Sequence, residues 1–568
     1  MVIIHFIFEV LPALLGRWKE RFLEQARESL PIRLLRRIRL LLRQSLLCRL
    51  LLWIRRGLLW IWGLLQQLWR LFTESVLFRA TRSAWRRLLE LWQGSLVRQG
   101  LGLHRHEGRI YENSLLATGF DGLMLGITRL LRRALAPASE SSVTAAHVRR
   151  ILAAHPWLDF ELLSGGAILL LLLFPSSVWR NIFALIIGLV LLAALLLLAA
   201  VQNRPALRLK TVGLPLLGFI LATVVGVAVS PDIGEGVRVF CFFLASFLLW
   251  AVMAGSLTDE RRLRKMLAVI YIGVVAAAAV AVVQRLLGVE VNATLTDLDT
   301  NAGMPGRVFS VYENPNNYAE IIVLLLPVAA VWAATLKGKN QRICACAGLL
   351  LPVAALLMTY SRSCWVGFAL TVVVFMFFCN KKVLPVFLLL ALLAVPLLPQ
   401  TIWNRILTIG STRDTSNMYR IYIWRGVLRM LQDWGVIGVG LGPENFRPVY
   451  LLYCDPLATP APHSHMVYLE VWVEMGILGI GSYLAYYFTT IRNAVVRFTQ
   501  ATETVRLVLI AGVSSLIGIA FVSAAEYIWY YPRVMFCFFI LTGIMAACVS
   551  MTDARCQAEA CGKLNGKT

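Results

Sequence analysis

The chain has 568 residues, of which 59% are hydrophobic and 15% are charged, and its mean hydropathy is +0.71. A soluble protein of this size carries about 25% charged residues, so the composition excludes an ordinary soluble globular protein and predicts a polytopic membrane protein. The net charge of +24 is interpreted as a mark of orientation and of contact with anionic lipid. It is not interpreted as a signal for nucleic acid.

Residues 1–155 form a basic extension rich in Arg, Leu and Trp, without a clean apolar run of membrane length. Between Arg79 and Trp92, basic and apolar residues recur at helical spacing on opposite sides, a pattern typical of a helix lying in the membrane interface. We expect a cytoplasmic or interfacial helical extension that contacts anionic membrane lipid. The alternative is a basic extension with no such role, and an extra span near 57–71 stays open.

Twelve apolar segments follow, each close to the ~20 residues that cross the hydrocarbon as a helix. They predict an all-α membrane domain over 156–550 with about 12 transmembrane helices, and a cytoplasmic tail over 551–568. The segments are approximately 160–175, 180–201, 209–229, 236–254, 266–287, 318–336, 342–358, 363–379, 383–398, 468–490, 505–525 and 533–550.

The short loops alternate in charge. The basic loops are 202–210, 255–265, 337–342, 381–382 and 492–506. Because basic loops stay in the cytoplasm, both termini are predicted to be cytoplasmic. The loops predicted outside are 288–317, 359–363, 399–467 and 526–533. The loop 399–467 is the longest polar interruption and is predicted to contain an amphipathic helix.

Four motif clusters fall in or beside these outer loops. They are Gly306–Phe309 with Asn314–Asn317, Tyr360–Trp365, Tyr419–Arg425 leading to Gly438, Gly440 and Gly442, and His463–Glu470 followed by Glu474, Gly476 and Gly479. A charged residue at the membrane boundary is costly and points to function. Each cluster has a plainer interpretation: Arg362 as a snorkelling anchor, Arg307 as a loop anchor, Arg420 and Arg425 on a solvated helix face, and both histidines as ordinary loop residues.

The residue types suit the handling of a phosphorylated lipid. Arginine presents a fixed fork of donors that matches phosphate oxygens, and two or three arginines can hold a pyrophosphate as a leaving group. The remaining task is to deprotonate an incoming sugar hydroxyl, for which histidine is suited. Neither a nucleotide cofactor nor a metal is required, and Asp297 with Asp299 offers only two carboxylates for a divalent ion.

At these residues the chain resembles the O-antigen ligase/polymerase superfamily, membrane glycosyltransferases of the GT-C kind. The resemblance covers roughly 160–550 and is strongest over 303–480. In that family an amphipathic helix lies in a loop outside the cytoplasm, paired arginines bind undecaprenyl pyrophosphate, and a histidine before the next span is the proposed base. The Ser-Arg-x-x-Trp arginine corresponds to Arg362, the Arg-x-x-x-Trp arginine to Arg420, and the histidine to His465. Met466 stands where the family usually has Asn.

A second branch of the superfamily, labelled as inorganic-carbon transporters, has similar sequence motifs. The similarity lies at Arg307-Val308, Asn314-Pro315-Asn316, Tyr360-Ser361-Arg362, Ser416-Asn417 with Arg420, and Leu431-Gln432-Asp433. That branch lacks the histidine found here at His465, so its presence favours transferase chemistry. A small-anion transporter of the bicarbonate type, or a transport-associated protein, is the alternative function.

The resemblance implies an enzyme of the bacterial inner membrane whose active site faces outside. It would move a saccharide from a polyprenyl-pyrophosphate donor to an acceptor hydroxyl in surface polysaccharide assembly. The acceptor is the lipid A core for a ligase and another glycan for a polymerase. Arg362, Arg420 and His465 take the catalytic roles. Substrate-binding roles fall to Arg307, Arg425, His463 and Asn316.

Overall fold

A computed structural model gives the architecture. It describes residues 114–141, 160–202, 204–288, 305–312, 314–381, 399–407, 415–458 and 461–565, and the single residues 63, 67, 83, 384 and 409. The chain divides into two units, Met1–Gly108 and Arg109–Thr568, and all of the continuous described segments belong to the second. The predicted interfacial helix at 79–92, the open span at 57–71, the segment 383–398, Asp297 and Asp299 lie wholly or almost wholly outside the described residues.

The described residues form seventeen α-helices and no strand, which confirms the all-α prediction. The helices are α1 Leu115–Ser141, α2 Phe160–Leu173, α3 Ile182–Val201, α4 Leu209–Val212, α5 Leu214–Ala228, α6 Ile233–Ser256, α7 Glu260–Leu287, α8 Pro315–Ala334, α9 Lys339–Gly348, α10 Leu350–Met358, α11 Arg362–Asn380, α12 Gln400–Leu407, α13 Thr415–Trp434, α14 Pro443–Tyr450, α15 Val467–Arg497, α16 Glu503–Ser523 and α17 Pro532–Asn565.

Nine stretches of helix within the described residues are long and apolar enough to cross a membrane. One of them, Lys339–Met358, comprises α9 and α10 together. Two shorter apolar helices, Leu163–Leu173 and Leu214–Ala228, coincide with predicted segments as well. Eleven of the twelve predicted segments are therefore helical. The twelfth, at 383–398, lies almost wholly outside the described residues. The prediction of a polytopic membrane protein is confirmed.

Three of the five loops predicted to be cytoplasmic, 202–210, 255–265 and 492–506, meet at one end of the helical bundle. Arg497 donates to both carboxylate oxygens of Asp553 at 2.7 and 2.9 Å, and Lys210 lies 3.6 Å from the same residue. Arg264 donates to the Thr504 hydroxyl at 2.5 Å. Basic loops from distant parts of the chain thus share one end, as the charge pattern requires. That this end faces the cytoplasm stays a prediction.

The layer beyond the opposite end is built on α13. Its residues Ile423, Val427 and Met430 are buried, and their spacing places them on one face of a helix. They pack with Phe446 and Tyr450 of α14 and with Leu469 and Val473 of α15. The predicted amphipathic helix is therefore present, and its apolar face covers the start of α15.

A glycine-rich loop joins this layer to the membrane domain. Helix α15 is interrupted at Gly476, where φ is +64°. The loop supplies hydrogen bonds beside the break: Val439 N–H donates to Val473 O at 2.8 Å and Gly440 N–H to Glu474 O at 3.1 Å, while Ile477 N–H donates to Val436 O at 3.1 Å. These bonds satisfy backbone groups that the break would leave unpaired. The loop therefore fixes α13 relative to α15.

Candidate active site

Segments from four predicted outer loops meet around Glu526, which lies between α16 and α17. Nη2 of Arg420 lies 2.5 Å from Oε1 of Glu526. Nδ1 of His465 lies 3.9 Å from Oε2 of the same carboxylate. The two oxygens of Glu526 thus face one arginine and one histidine. Within the described part of the chain, His465 Nδ1 and Arg420 Nε are buried and have no hydrogen-bond partner.

The neighbouring arginine and histidines determine the charge of Glu526. Burial by itself would raise the pKa of the carboxyl, but Arg420, and after it His465 and His463, lower the pKa to about 2. Glu526 is therefore ionised at neutral pH. A buried carboxylate in that state is stabilised by the neighbouring cation, and it presents a fixed negative charge to the imidazole of His465.

Arg307 approaches the cluster from the loop before α8. Its Nε donates to Thr359 O at 2.7 Å, and its Nη2 donates to Oδ1 of Asn316. Burial, together with Arg362 and Arg420, lowers the pKa of Arg307 to about 10, although Glu526 opposes this. The guanidinium is still protonated at neutral pH. Arg307 is thus a buried cation with two further arginines and one carboxylate within electrostatic range.

Arg420 is positioned by the tryptophan one helical turn later. Trp424 donates from Nε1 to Ser464 O at 3.0 Å. Residues four apart lie on the same face of a helix, so this bond turns Arg420 toward the histidine segment as well. The Arg-x-x-x-Trp spacing therefore has a physical reason: the tryptophan anchors α13 and the arginine reaches Glu526.

Arg362 is held at the first turn of α11 by a comparable arrangement. Trp365 donates from Nε1 to Leu356 O at 2.9 Å. Tyr360, just before the helix, has φ of +53°, and its carbonyl accepts from Arg405 Nε at 3.3 Å. A tyrosine in the left-handed region is strained. The strained turn places the half-buried Arg362 within electrostatic range of Arg307.

His463 and His465 lie in a tight turn before α15. His465 has φ of +53°, its N–H donates to Nδ1 of His463 at 3.1 Å, and the two rings are 4.1 Å apart. The Ser464 N–H between them donates to Oε2 of the buried Glu470 at 2.5 Å. Burial, and after it the nearby His465 and Arg420, holds the pKa of His463 well below its usual range. His463 is therefore a neutral acceptor that supports the backbone of His465.

The structure brings six of the seven predicted site residues together. They are Arg307, Asn316, Arg362, Arg420, His463 and His465. Arg425 does not join them, because it is exposed and lies five residues after Arg420. That spacing is a rotation of about 140° around a helix, so it points away from the cluster.

Sequence reasoning missed Glu526. The signal was present, since Glu526 is the only acidic residue in the predicted outer loop 526–533 and stands at the end of a span. Among the described residues, no group of three or more His, Cys, Asp or Glu is arranged to hold a metal ion.

Together the fold and the cluster define a multi-pass α-helical membrane protein with arginine, histidine and glutamate side chains gathered at one end. Residues 347–484 match the family model of O-antigen ligase. The match includes Arg362, Arg420, His463 and His465, and it supports a membrane glycan-transferring function in polysaccharide assembly. It gives no support to the transporter branch. Comparison with curated proteins found no match.

Proposed function

We propose that the protein is a glycosyltransferase of the bacterial inner membrane. It moves a saccharide from a polyprenyl-pyrophosphate donor to a hydroxyl of a glycan or of the lipid A core. The observation that carries this proposal is the convergence of Arg307, Arg420 and His465 around Glu526, with Arg362 within electrostatic range of Arg307. The cluster faces outside, both termini are cytoplasmic, and the basic N-terminal extension contacts anionic lipid.

The arginines bind the diphosphate of the donor. Arg362 and Arg420 lie within electrostatic range of Arg307, so the cluster concentrates positive charge where an anion can bind. Arginine forks match phosphate oxygens, and in a site shielded from water their positive charge stabilises the pyrophosphate as it leaves. Asn316 holds Arg307 in place through its side-chain oxygen.

His465 acts as the base toward the acceptor. Its Nδ1 faces Glu526, which leaves Nε2 for the acceptor hydroxyl. The hydroxyl oxygen bonds to the anomeric carbon, the bond from that carbon to the pyrophosphate oxygen breaks with its electron pair, and the hydroxyl proton passes to Nε2. The imidazolium so formed is stabilised by the carboxylate of Glu526, which is the role of the acidic member of a catalytic triad.

The test is transfer by purified protein from an undecaprenyl-pyrophosphate-linked glycan to acceptor glycan or lipid A core, with a chelator present. We expect product to form and free undecaprenyl pyrophosphate to accumulate in equal amounts. The same protein in sealed vesicles should show no saturable bicarbonate uptake. Uptake without transfer to either acceptor would overturn the proposal in favour of the transporter.

A further inference from the structure

Two exposed tyrosines lie beside the histidines. Tyr530 and Tyr531 are 36% and 38% exposed, and their rings are 5.2 Å apart and nearly perpendicular, at 87°. The ring of Tyr530 lies 4.5 Å from that of His463. The hydroxyl of Tyr531 accepts a hydrogen bond from Asn314 Nδ2 at 3.1 Å. The pair thus extends from the histidine turn to the N-terminal cap of α8, a few residues after Glu526.

An ion pair lies within electrostatic range of Tyr530. Arg238, whose side chain is 53% exposed, lies within electrostatic range of Tyr530. Its guanidinium donates to both oxygens of Glu235 at 2.6 and 2.5 Å. The ring of Tyr530 and the guanidinium group of Arg238 therefore lie within electrostatic range of each other. Sites for polar organic ligands combine an aromatic lining with a few polar groups in this way.

We infer that Tyr530 and Tyr531 form a platform for a pyranose ring of the acceptor, which rests on the proposed function. A pyranose has an apolar C–H face that can lie on an aromatic ring. It also has hydroxyl groups that can accept from a guanidinium group such as that of Arg238. The acceptor is favoured over the donor because Tyr530 packs against His463, whose ring lies 4.1 Å from that of His465, where a hydroxyl has to be delivered. The diphosphate of the donor is bound by the arginines, on the other side of Glu526.

The platform is tested by saturation-transfer NMR, with the methyl pyranosides of glucose, galactose, mannose and N-acetylglucosamine as probes. We expect the wild type to transfer saturation to ring C–H protons of at least one probe. The double variant Y530A/Y531A should weaken that binding about tenfold, because each aromatic contact contributes modestly. Y530F/Y531F should retain it, since the ring faces remain. Trp434→Ala, which removes another exposed aromatic residue, should also retain it.

A second measurement separates this inference from the proposed function. Y530A/Y531A should still bind undecaprenyl pyrophosphate but bind pyranosides more weakly. Arg362→Ala should bind undecaprenyl pyrophosphate more weakly but still bind pyranosides. If the wild type bound pyranosides through the tyrosines but transferred no glycan, the proposed transferase function would be wrong and the proposed tyrosine platform would stand. Absence of pyranoside binding by the wild type, or equal binding by Y530A/Y531A, would overturn the platform. Equal binding would instead fit tyrosines that serve as membrane-interface anchors.

Discussion

Glu526 gives the candidate site its electrostatic balance, because one oxygen faces Arg420 and the other faces His465. Without the carboxylate, two arginines and a histidine would lie close together in a largely buried site. With it, Arg420 is paired and the imidazole of His465 has a fixed anion on its Nδ1 side. The three residues come from different segments, so the site exists only when α13, α15 and α16 are in place.

The pKa of Glu526 predicts that the fold is less stable in acid. That pKa is about 2 in the folded protein against an ordinary 4.5, so the ionised carboxylate stabilises the folded state above about 4.5. This stability is lost as the pH falls from about 4.5 toward 2. We expect Glu526→Gln to lower the Tm in detergent at pH 7, and the gap to the wild type to narrow at pH 3. A gap that is constant or wider at pH 3 would contradict the assigned pairing.

Arg362 and Arg425 make a matched pair of lysine substitutions. Arg362 lies in the cluster, and Arg425 is exposed outside it. Because lysine keeps the charge but loses the planar fork, Arg362→Lys should reduce transfer roughly 10–100-fold, the range for a lost charged hydrogen bond. Arg425→Lys should leave transfer nearly unchanged. Equal rates for the two variants, at equal membrane levels, would remove the diphosphate-clamp role of Arg362.

At the scale of elements, the loop through Gly438, Gly440 and Gly442 explains how α13 is held. All three glycines have φ above +90°, where side chains are disfavoured. A Cβ on Gly440 would come within 2.5 Å of Ser230 Cα, which is backbone and cannot rotate away. Ser230 also accepts the Leu441 N–H at 3.0 Å. The loop is thus fixed to the turn between α5 and α6 as well as to α15.

Gly440→Ala is therefore expected to destabilise the protein by about 2 kcal/mol or more, from the left-handed backbone and the clash together. Gly481→Ala is the control, because that position lies within α15 and has open space around it. It should be neutral or slightly stabilising, since alanine favours a helix over glycine. Thermal unfolding in detergent measures both. If Gly440→Ala were as stable as Gly481→Ala, the loop through Gly440 would not be what holds α13 against α15.

The elements themselves could be predicted from apolar length, and the clustering of basic loops from charge alternation. The convergence within the site could be predicted only in part. Arg420 and Arg425 look alike in a helical pattern, and what separates them is the anchor from Trp424 to Ser464. The break at Gly476 and the role of Glu526 depend on contacts between segments far apart in the chain. No local periodicity reports such contacts.

Across the described helical bundle as a whole, polar groups collect at two opposite ends. One end joins the basic loops through Asp553 and Thr504, and the other carries the cluster around Glu526. A reporter active only outside the cytoplasm should therefore be active when fused near Asp455 and silent near Glu503. The reverse result would place the cluster in the cytoplasm, away from a donor presented on the outer face.

Alanine substitution of each histidine in turn shows whether His465 removes the proton from the acceptor. Purified wild type, His465→Ala and His463→Ala are assayed for glycan transfer from an undecaprenyl-pyrophosphate donor, and donor binding is measured separately. His465→Ala should lose about 10²–10⁴-fold in rate, the usual cost of removing a general base, and should still bind donor through the arginines. His463→Ala should lose less, because His463 only supports the turn. Undiminished transfer by His465→Ala would show that His465 is not the base.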